Sequence, residues 1–313
     1  MSRVVRAFLL SIALAAPAAV GAQDLVTRAD TLLRRGDLRR AEDLYYAAVR
    51  RQPRDPVARL ALGRYLAARG ALKVGAVLME EARFFGGDVR TIARQLAPVY
   101  ARLGDYRALA SLPGSQLAVG ERVRATWLQS NPASVEGPDS ATVALTPVDS
   151  ALGAVSLILG DDTLRAVVDA GVQGVVLDTS WTRKGGVKVF KGAAEGDRRN
   201  FAGVALSARL GPLALLNQPV RFAPLGAGEA RIGLDVLARL APTFDPDAQR
   251  LTLRRTGRVA PTLAGERVPV VALPAEPLVV RGGAWAMDSS EGRIVLRGRW
   301  TYDARRGEAV IGA

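Results

Sequence analysis

Two hydrophobic patterns divide the chain of 313 residues. In residues 25–109, apolar and small side chains recur with a period of 34 residues. Residues 142–255 instead contain short β-branched runs that Gly, Pro or Asp interrupt, as in a small all-β domain. Residues 130–140 are rich in Ser, Pro, Gly and Asp and have no apolar period. The pattern therefore predicts a helical domain over 23–128, a linker over 129–141 and a β domain over 142–255.

Glycines mark the 34-residue period most clearly. Gly36, Gly70 and Gly104 are each 34 residues apart, and the first and last precede Asp. A repeat of this length predicts one helix pair per unit, with Gly in the turn and small residues where the helices cross. The other residues at this spacing are Ala41 and Gly75, Tyr45 and Met79, and Ala48 and Ala82.

This segment resembles tetratricopeptide repeats. The matching residues of the first repeat are Gly36-Asp37-Leu38, Ala41, Tyr45, Ala48 and Pro53. The resemblance implies a helical solenoid that binds protein partners, but such scaffolds serve many ligands. A rigid spacer or a dimerisation arm is the alternative.

The N-terminus has the pattern of a signal peptide. Arg3 and Arg6 precede an apolar run of 14 residues, 7–20, and the small residues Gly21 and Ala22 then offer a cleavage site before Gln23. A permanent span needs about 20 apolar residues, so an uncleaved anchor is the weaker alternative. The chain has no Cys to carry a lipoprotein anchor. We therefore expect a signal peptide over 1–22 and an exported bacterial protein, periplasmic or secreted, with no membrane span after cleavage.

The β part is predicted in some detail. Residues 235–240 predict one short helix, and the alternating residues 258–313 predict three to five more strands in a C-terminal extension over 256–313. The predicted strands of the main β domain are 142–145, 154–159, 164–168, 174–177, 187–190, 204–208 and 250–253.

Composition narrows the chemistry. The chain has no His and no Cys, which excludes His- or Cys-based nucleophiles, thiolate catalysis and the common zinc sites. Carboxylates, Lys and Tyr remain for acid–base work, and neither a metal nor a cofactor is predicted. The net charge of +13 does not by itself predict nucleic-acid binding, because only four of the 43 basic residues are Lys and aromatic residues make up only 5%.

The strongest candidate for chemistry is the turn Asp169-Ala170-Gly171. An apolar run ends at Asp169, and a second apolar run follows Gly171, which allows close approach of the backbone. Two such turns that face each other would bring two carboxylates together, and one would then stay protonated. The pair would act as base and acid on one water molecule that attacks a peptide carbonyl.

The region from 142 to 255 resembles the retropepsin-like aspartic proteases in their single-lobe form. The family's Asp-Thr/Ser-Gly motif matches Asp169-Ala170-Gly171, residues 232–253 resemble its closing turn, helix and strands, and residues 210–220 resemble the preceding hairpin. The resemblance implies a multidomain α + β protein, with a tetratricopeptide-like solenoid followed by an all-β acid-protease barrel. It also implies an aspartic peptidase that Asp169 of a second subunit completes, as a homodimer acting on a peptide or protein substrate.

Ala170 departs from the family motif. The Thr or Ser of the family hydrogen-bonds to the partner turn, and the loss of such a bond costs about 0.5–1.5 kcal/mol. Misplacement of a catalytic group by about 1 Å costs roughly 100-fold in rate. A peptidase weakened by Ala170 is therefore one hypothesis, and a non-catalytic, protein-binding envelope module with a degenerate protease-like domain is the other.

Other residues are weaker candidates. Asp178 also follows an apolar run but lacks the Gly, and Asp288 lies in a segment that resembles a decayed second lobe. Gly185 and Gly186 sit in a basic hairpin where the family's substrate-covering flap would lie, although a solvated hairpin is the simpler interpretation. Asp235 is interpreted as a helix cap.

Overall fold

The chain folds into an N-terminal helical part followed by a β part, which confirms the predicted α + β class. The computed structural model describes residues 21–113, 117–149, 151–191, 201–226, 228–255, 264–271, 279–282, 285–288, 293–294 and 298–312. In these ranges, seven helices precede the first strand. They are α1 (Ala22–Arg34), α2 (Leu38–Arg51), α3 (Pro56–Ala68), α4 (Leu72–Phe84), α5 (Val89–Leu103), α6 (Tyr106–Ser111) and α7 (Val119–Ser130).

The ends of the helices follow from local sequence. Four helices begin after an aspartate whose carboxylate accepts hydrogen bonds from amides of the first turn. The turns within the three helix pairs contain Gly36, Gly70 and Gly104, with φ of 76°, 87° and 69°. This left-handed conformation favours Gly, so the 34-residue spacing marks equivalent turns, as predicted. The capping aspartates are Asp37, Asp55, Asp88 and Asp105.

The helices pack through small residues. A Cβ on Gly75 would lie 2.7 Å from the carbonyl oxygen of Gly63 and 2.8 Å from Cβ of Ala67, so α3 and α4 approach each other too closely for a larger side chain. Buried tyrosines brace neighbouring helices by donating to carboxylates, for example from Tyr45 to Asp30 at 2.5 Å. The polar tip of each ring is thus satisfied inside an apolar layer.

The strands form two sheets. In the described residues, the strands are β1 (Ser134–Glu136), β2 (Ser140–Ala144), β3 (Gly153–Leu159), β4 (Asp162–Asp169), β5 (Val175–Asp178), β6 (Val187–Phe190), β7 (Ala202–Leu210), β8 (Leu213–Ala223), β9 (Glu229–Gly233), β10 (Thr243–Asp245), β11 (Arg250–Arg254), β12 (Glu266–Val271), β13 (Val279–Gly282), β14 (Trp285–Asp288), β15 (Arg293–Ile294), β16 (Trp300–Asp303) and β17 (Glu308–Ile311). A short helix α8 (Leu234–Leu237) follows β9, and a 3-10 turn (Ala238–Leu240) continues it, in agreement with the helix predicted over 235–240.

The first sheet is closed. Its order is β1-β8-β5-β9-β4-β3-β7-β6, and a further pairing of β7 with β8 joins the six strands from β8 to β7 in this order into a ring, with β1 and β6 at its outside. Two pairs are parallel, β4 with β9 and β5 with β8. Because parallel neighbours end at the same edge, the end of β4 lies beside the end of β9. This arrangement positions the candidate site.

The second sheet contains the C-terminal strands. Its order is β15-β14-β13-β12-β17-β16-β10-β11-β2, so residues after 256 extend a sheet that also includes β2, β10 and β11. Within the described residues, six strands lie in this extension, one more than the upper limit of the prediction, because the short β15 has too few residues to show alternation. Phe244 and Trp300 stack at 4.4 Å between ring centroids and join the strands β10 and β16.

Direct contacts join the helical and β parts. The Arg69 guanidinium, just after α3, donates to the carbonyl oxygens of Val270 and Gly307 at 3.2 and 3.1 Å. Phe190 and neighbouring residues of β7 belong to the same apolar cluster as the later helices. In the described part of the chain, no helix has both the length and the apolar composition needed to cross a bilayer.

Two segments differ from the sequence-based picture. The three-residue strand β1 and the start of β2 lie in the region predicted as a linker, because β1 pairs with the middle of β8. The segment 183–191, interpreted as a basic hairpin, instead begins at the end of a 3-10 helix (Thr179–Arg183) and continues into β6, which pairs with β7. In both segments, the structure is set by pairing with a strand that is distant in sequence and not by local composition.

Candidate functional site

Asp169 is the last residue of β4, as the sequence predicts for a strand that ends in a tight turn. In the parallel pairing of β4 with β9, it lies opposite Gly233. Residues 170–174 then form the loop that leads into β5. The candidate carboxylate therefore lies where two strand ends meet, at one edge of the closed sheet.

Hydrogen bonds lock this loop to the start of α8. The Gly174 amide donates to the Asp235 carboxylate at 3.0 Å, and the Gly233 amide donates to the Gly174 carbonyl at 2.8 Å. Asp235 is in the first turn of α8, but its carboxylate binds the loop across the site instead of an amide of its own helix. The interpretation of Asp235 as a helix cap is therefore wrong, because the amide of Gly174 lies within its reach after folding.

Both carboxylate oxygens of Asp169 have donors. The Gly171 amide donates to Oδ1 at 2.9 Å, and the Arg231 guanidinium contacts Oδ2 at 3.0 Å. About a quarter of the Asp169 side chain is exposed, against half of the Arg231 side chain. In the described part of the chain, none of the polar contacts of Asp169 is to a second carboxylate.

Sequence reasoning missed Arg231. It is two residues before Gly233 on β9, so it lies on the same face of the strand. The predicted strands did not include β9, so no signal in the sequence placed Arg231 beside Asp169. In a paired-aspartate site, the attacking water molecule binds the carboxylate oxygens, and Arg231 occupies one of them here.

Ala170 adds no polar group to the turn. Its methyl group packs against the core of the β domain. The turn therefore presents one carboxylate, a backbone amide and a guanidinium to its surroundings. The guanidinium and the amide both occupy the partly exposed Asp169 carboxylate, and water activation would require Arg231 to move away or a second carboxylate to approach.

Asp178, the first alternative candidate, is buried at the end of β5. Its Oδ1 accepts from the Ser180 amide and its Oδ2 from the Leu225 amide, both at 2.9 Å. Burial alone would raise the pKa of this carboxyl, but the hydrogen bonds from Ser180, Leu225 and Thr179 outweigh burial and hold the pKa below its usual value. Asp178 thus caps the 3-10 helix that follows and ties it to the end of β8.

The remaining candidates are placed differently. Asp288 ends β14, and its side chain lies outside the described residues. Gly185 and Gly186 connect the 3-10 helix to β6, where the Gly186 carbonyl accepts from the Leu206 amide. The chain between β6 and β7, residues 192–200, is outside the described ranges. A flap role for Gly185 and Gly186 stays a prediction.

The lysines of this region make specific contacts. Lys184 forms an ion pair with Asp162 at 3.0 Å and lies over the Trp181 ring, and Lys188 lies over the Trp127 ring of α7. These contacts attach β6 and its surroundings to both halves of the molecule. Within the described ranges, no group of three or more carboxylates is arranged to hold a metal ion.

Replacement of Asp178 by Asn should destabilise the fold. Asn keeps the shape but loses a charged acceptor of two amides, so we expect a loss of about 1–3 kcal/mol in the free energy of unfolding at pH 7. The pKa of Asp178 is lower in the folded protein than in the unfolded chain, where it is about 4. The charged carboxylate therefore stabilises the fold above about pH 4, and this stabilisation disappears as the pH falls through the lower pKa of the folded protein. Urea unfolding at several pH values from 7 to 3 measures the free energy of unfolding of the wild type and the variant, with Asp161→Asn, at an exposed position, as the control. A difference between wild type and Asp178→Asn that is the same at all pH values would contradict the prediction.

The comparisons with known proteins give two similarities. The tetratricopeptide repeat family model matches residues 22–65. The solved structure of a retropepsin-like aspartic protease from Rickettsia conorii is 18% identical, with a TM-score of 0.27, and the match covers 39% of this chain and 92% of that chain. None of the curated proteins matches the chain. The helical segment is thus similar to tetratricopeptide repeats, which are generally protein-interaction modules, and one structural neighbour of the chain is a retropepsin-like protease.

Proposed function

We propose that this chain is an exported, non-catalytic protein-binding module, whose helical repeats bind a protein partner through the outer face of α4. The observation that carries the proposal is an apolar row on that helix. Val74, Val77 and Phe84 are 54%, 58% and 84% exposed. Their spacing of three and seven residues places them on one face of the helix.

This row borders a wide, open groove. The groove has a volume of about 870 Å³ and lies between α4 and the end of α5 with its following turn. Val77 and Phe84 line one side, and Tyr100 and Leu103 line the other. The Tyr100 hydroxyl donates to Glu80 at 2.6 Å, which fixes the floor of the groove. The lining also includes the charged residues Lys73, Glu80, Glu81 and Asp105, so the groove combines an exposed aromatic ring with polar groups, as protein interfaces do.

The geometry of the β domain supports a non-catalytic role. Arg231 and the Gly171 amide bind the Asp169 carboxylate, and Ala170 has no hydroxyl for a bond to a second turn. The β domain then acts as a platform for the repeats, which it contacts through Arg69 and the apolar cluster that includes Phe190.

Phe84→Asp should weaken partner binding. A charge in the apolar row removes the anchor and leaves the fold intact, because Phe84 is exposed; we expect a loss of affinity of about tenfold or more. Tagged mature protein and each variant would be used to capture partners from an envelope extract, and quantitative mass spectrometry would compare the proteins retained.

The matched control is Val123→Asp, which introduces the same charge at an exposed position of α7. Proteins retained by the wild type and by the control, but lost with Phe84→Asp, support the proposal. A retained set that is the same for all three proteins contradicts it.

An aspartic peptidase is the second candidate function. The observation that favours it is the Gly171 amide, which donates to Asp169 Oδ1 within an Asp-x-Gly turn at the strand end. This is the arrangement that the resemblance to retropepsin-like proteases implies. The second carboxylate would come from Asp169 of another copy, and Arg231 would have to leave the site on dimerisation.

A peptidase should cleave a peptide library between pH 4 and 7 as a homodimer. In that case Asp169→Asn should reduce the rate by about 100-fold or more, since the base is lost, and Ala170→Thr or Arg231→Gln should raise it. Light scattering gives the oligomeric state of each variant. Absence of cleavage in the wild type, in Arg231→Gln and in the Ala170→Thr, Arg231→Gln double variant, while a related protease cleaves the library, would rule out this function.

Export is supported by Arg3, Arg6 and the apolar run over 7–20. Cleavage before Gln23 would remove Ala22, the first residue of α1. N-terminal sequencing of the protein from a bacterial host should find Gln23 first in the periplasmic or secreted fraction. Ala22→Asp should block processing at this site. An intact N-terminus in the cytoplasm of the wild-type culture would refute the proposal.

A further inference from the structure

A second cavity lies between the helical part and the β domain. It has a volume of about 300 Å³, with α5 and α7 on one side and β8, the loop before β5 and the start of α8 on the other. This volume is at the lower limit of small-molecule sites, about 300–1,000 Å³. We call it the arginine cleft, after the five arginines that line it. They are Arg94, Arg102, Arg124, Arg221 and Arg239.

The charges of the arginine cleft do not balance. Its lining includes five arginines but only two acidic residues, Glu121 and Asp235. The Asp235 carboxylate already accepts from the Gly174 amide. Glu121 is 3.9 Å from Arg124, at the limit of an ion pair. A cavity with this excess of positive charge attracts an anion.

Arg124 is a largely buried charge that is only weakly paired, since Glu121 lies at the limit of an ion pair. Its side chain is only 11% exposed, and its guanidinium donates to the Val220 carbonyl at 2.8 Å. Burial lowers the pKa of Arg124, the charge of Arg221 lowers it further, and Glu121 offsets only part of this. Buried charges in proteins are normally paired, so a counter-charge from a ligand fits this position.

The other arginines retain free donors. Arg221 donates through one nitrogen to the Gln173 carbonyl, and Arg239 does so to the Ala101 carbonyl. Arg102 has no hydrogen bond or ion pair within the described ranges. Each guanidinium carries five N–H donors in a planar fork that suits phosphate and carboxylate groups. The contacts with carbonyl oxygens fix the guanidinium groups of Arg221 and Arg239 beside the cavity.

From this geometry, we infer that the arginine cleft binds a small oxyanion, in which phosphate or carboxylate groups bridge Arg102 and Arg124 of the helical part to Arg221 of the β domain. This site is additional to the proposed protein-binding surface on α4 and does not depend on it. Because its donors come from both parts of the molecule, a bound anion would hold the helical repeats against the β domain.

Calorimetric titration of the mature protein tests the inference. Inorganic phosphate and citrate are the probes, each at an ionic strength held constant with sodium chloride. We expect saturable binding of at least one probe. The stronger probe identifies the group, since tighter phosphate binding indicates a phosphorylated ligand and tighter citrate binding indicates a polycarboxylate.

Variants locate the site. Arg102→Gln and Arg221→Gln should each weaken binding about tenfold, because each removes charged hydrogen bonds to the anion. Arg90→Gln, an exposed arginine at the start of α5, is the matched control and should bind like the wild type. Phe84→Asp should also bind normally, which separates this site from the α4 surface. Circular dichroism would show whether Arg221→Gln disturbs folding. In that case, the binding measured for Arg102→Gln decides the test.

Absence of saturable binding for both probes would overturn the inference. Binding that Arg90→Gln weakens as much as Arg102→Gln would also overturn it, since this would indicate general attraction to a basic protein.

Discussion

The close approach of the loop 170–174 to the junction of β9 and α8 at Gly233 holds the candidate site of the β domain together. A Cβ at this position would lie 2.3 Å from the Val172 carbonyl oxygen and 2.3 Å from Asp235 Oδ1. Only Gly fits without displacing these groups. The absent side chain lets β9 end directly beside β4 and turn into α8, and it lets the Asp235 carboxylate reach the Gly174 amide. The loop after Asp169 is fixed by this contact, and the place of the Asp169 carboxylate is fixed with it.

Some of the arginines behind the net charge of +13 form contacts between the helical part and the β part. Arg69, Arg124 and Arg239 each donate to backbone carbonyls of the opposite part, so several of the positive charges join the domains. Guanidinium groups suit this role because they bind carbonyls with some N–H groups and keep others free. The same side chains leave the boundary between the parts rich in positive charge, beside the apolar cluster that includes Phe190.

The helical repeats were largely predictable from the sequence, and the reason is local. A left-handed turn favours Gly, and Gly36, Gly70 and Gly104 meet that need within a few residues of each helix end. Several core strands were also found, because β-branched runs such as those of β3 and β4 are bounded by turn residues, but β9 was not among the predicted strands. The strand β1 was missed, since its three residues have no pattern of their own and are ordered by pairing with β8.

The sequence by itself determined the helical repeat, the β composition of the second half and the place of Asp169 at a strand end, since periodicity, turns and caps act over a few neighbouring residues. Only the tertiary structure decided what surrounds that carboxylate. Arg231 lies 62 positions away and reaches Asp169 because β9 pairs with β4 in parallel. The arginine cleft likewise gathers side chains from separate helices and strands. Contacts of this kind depend on packing between elements, and no local pattern along the chain encodes them.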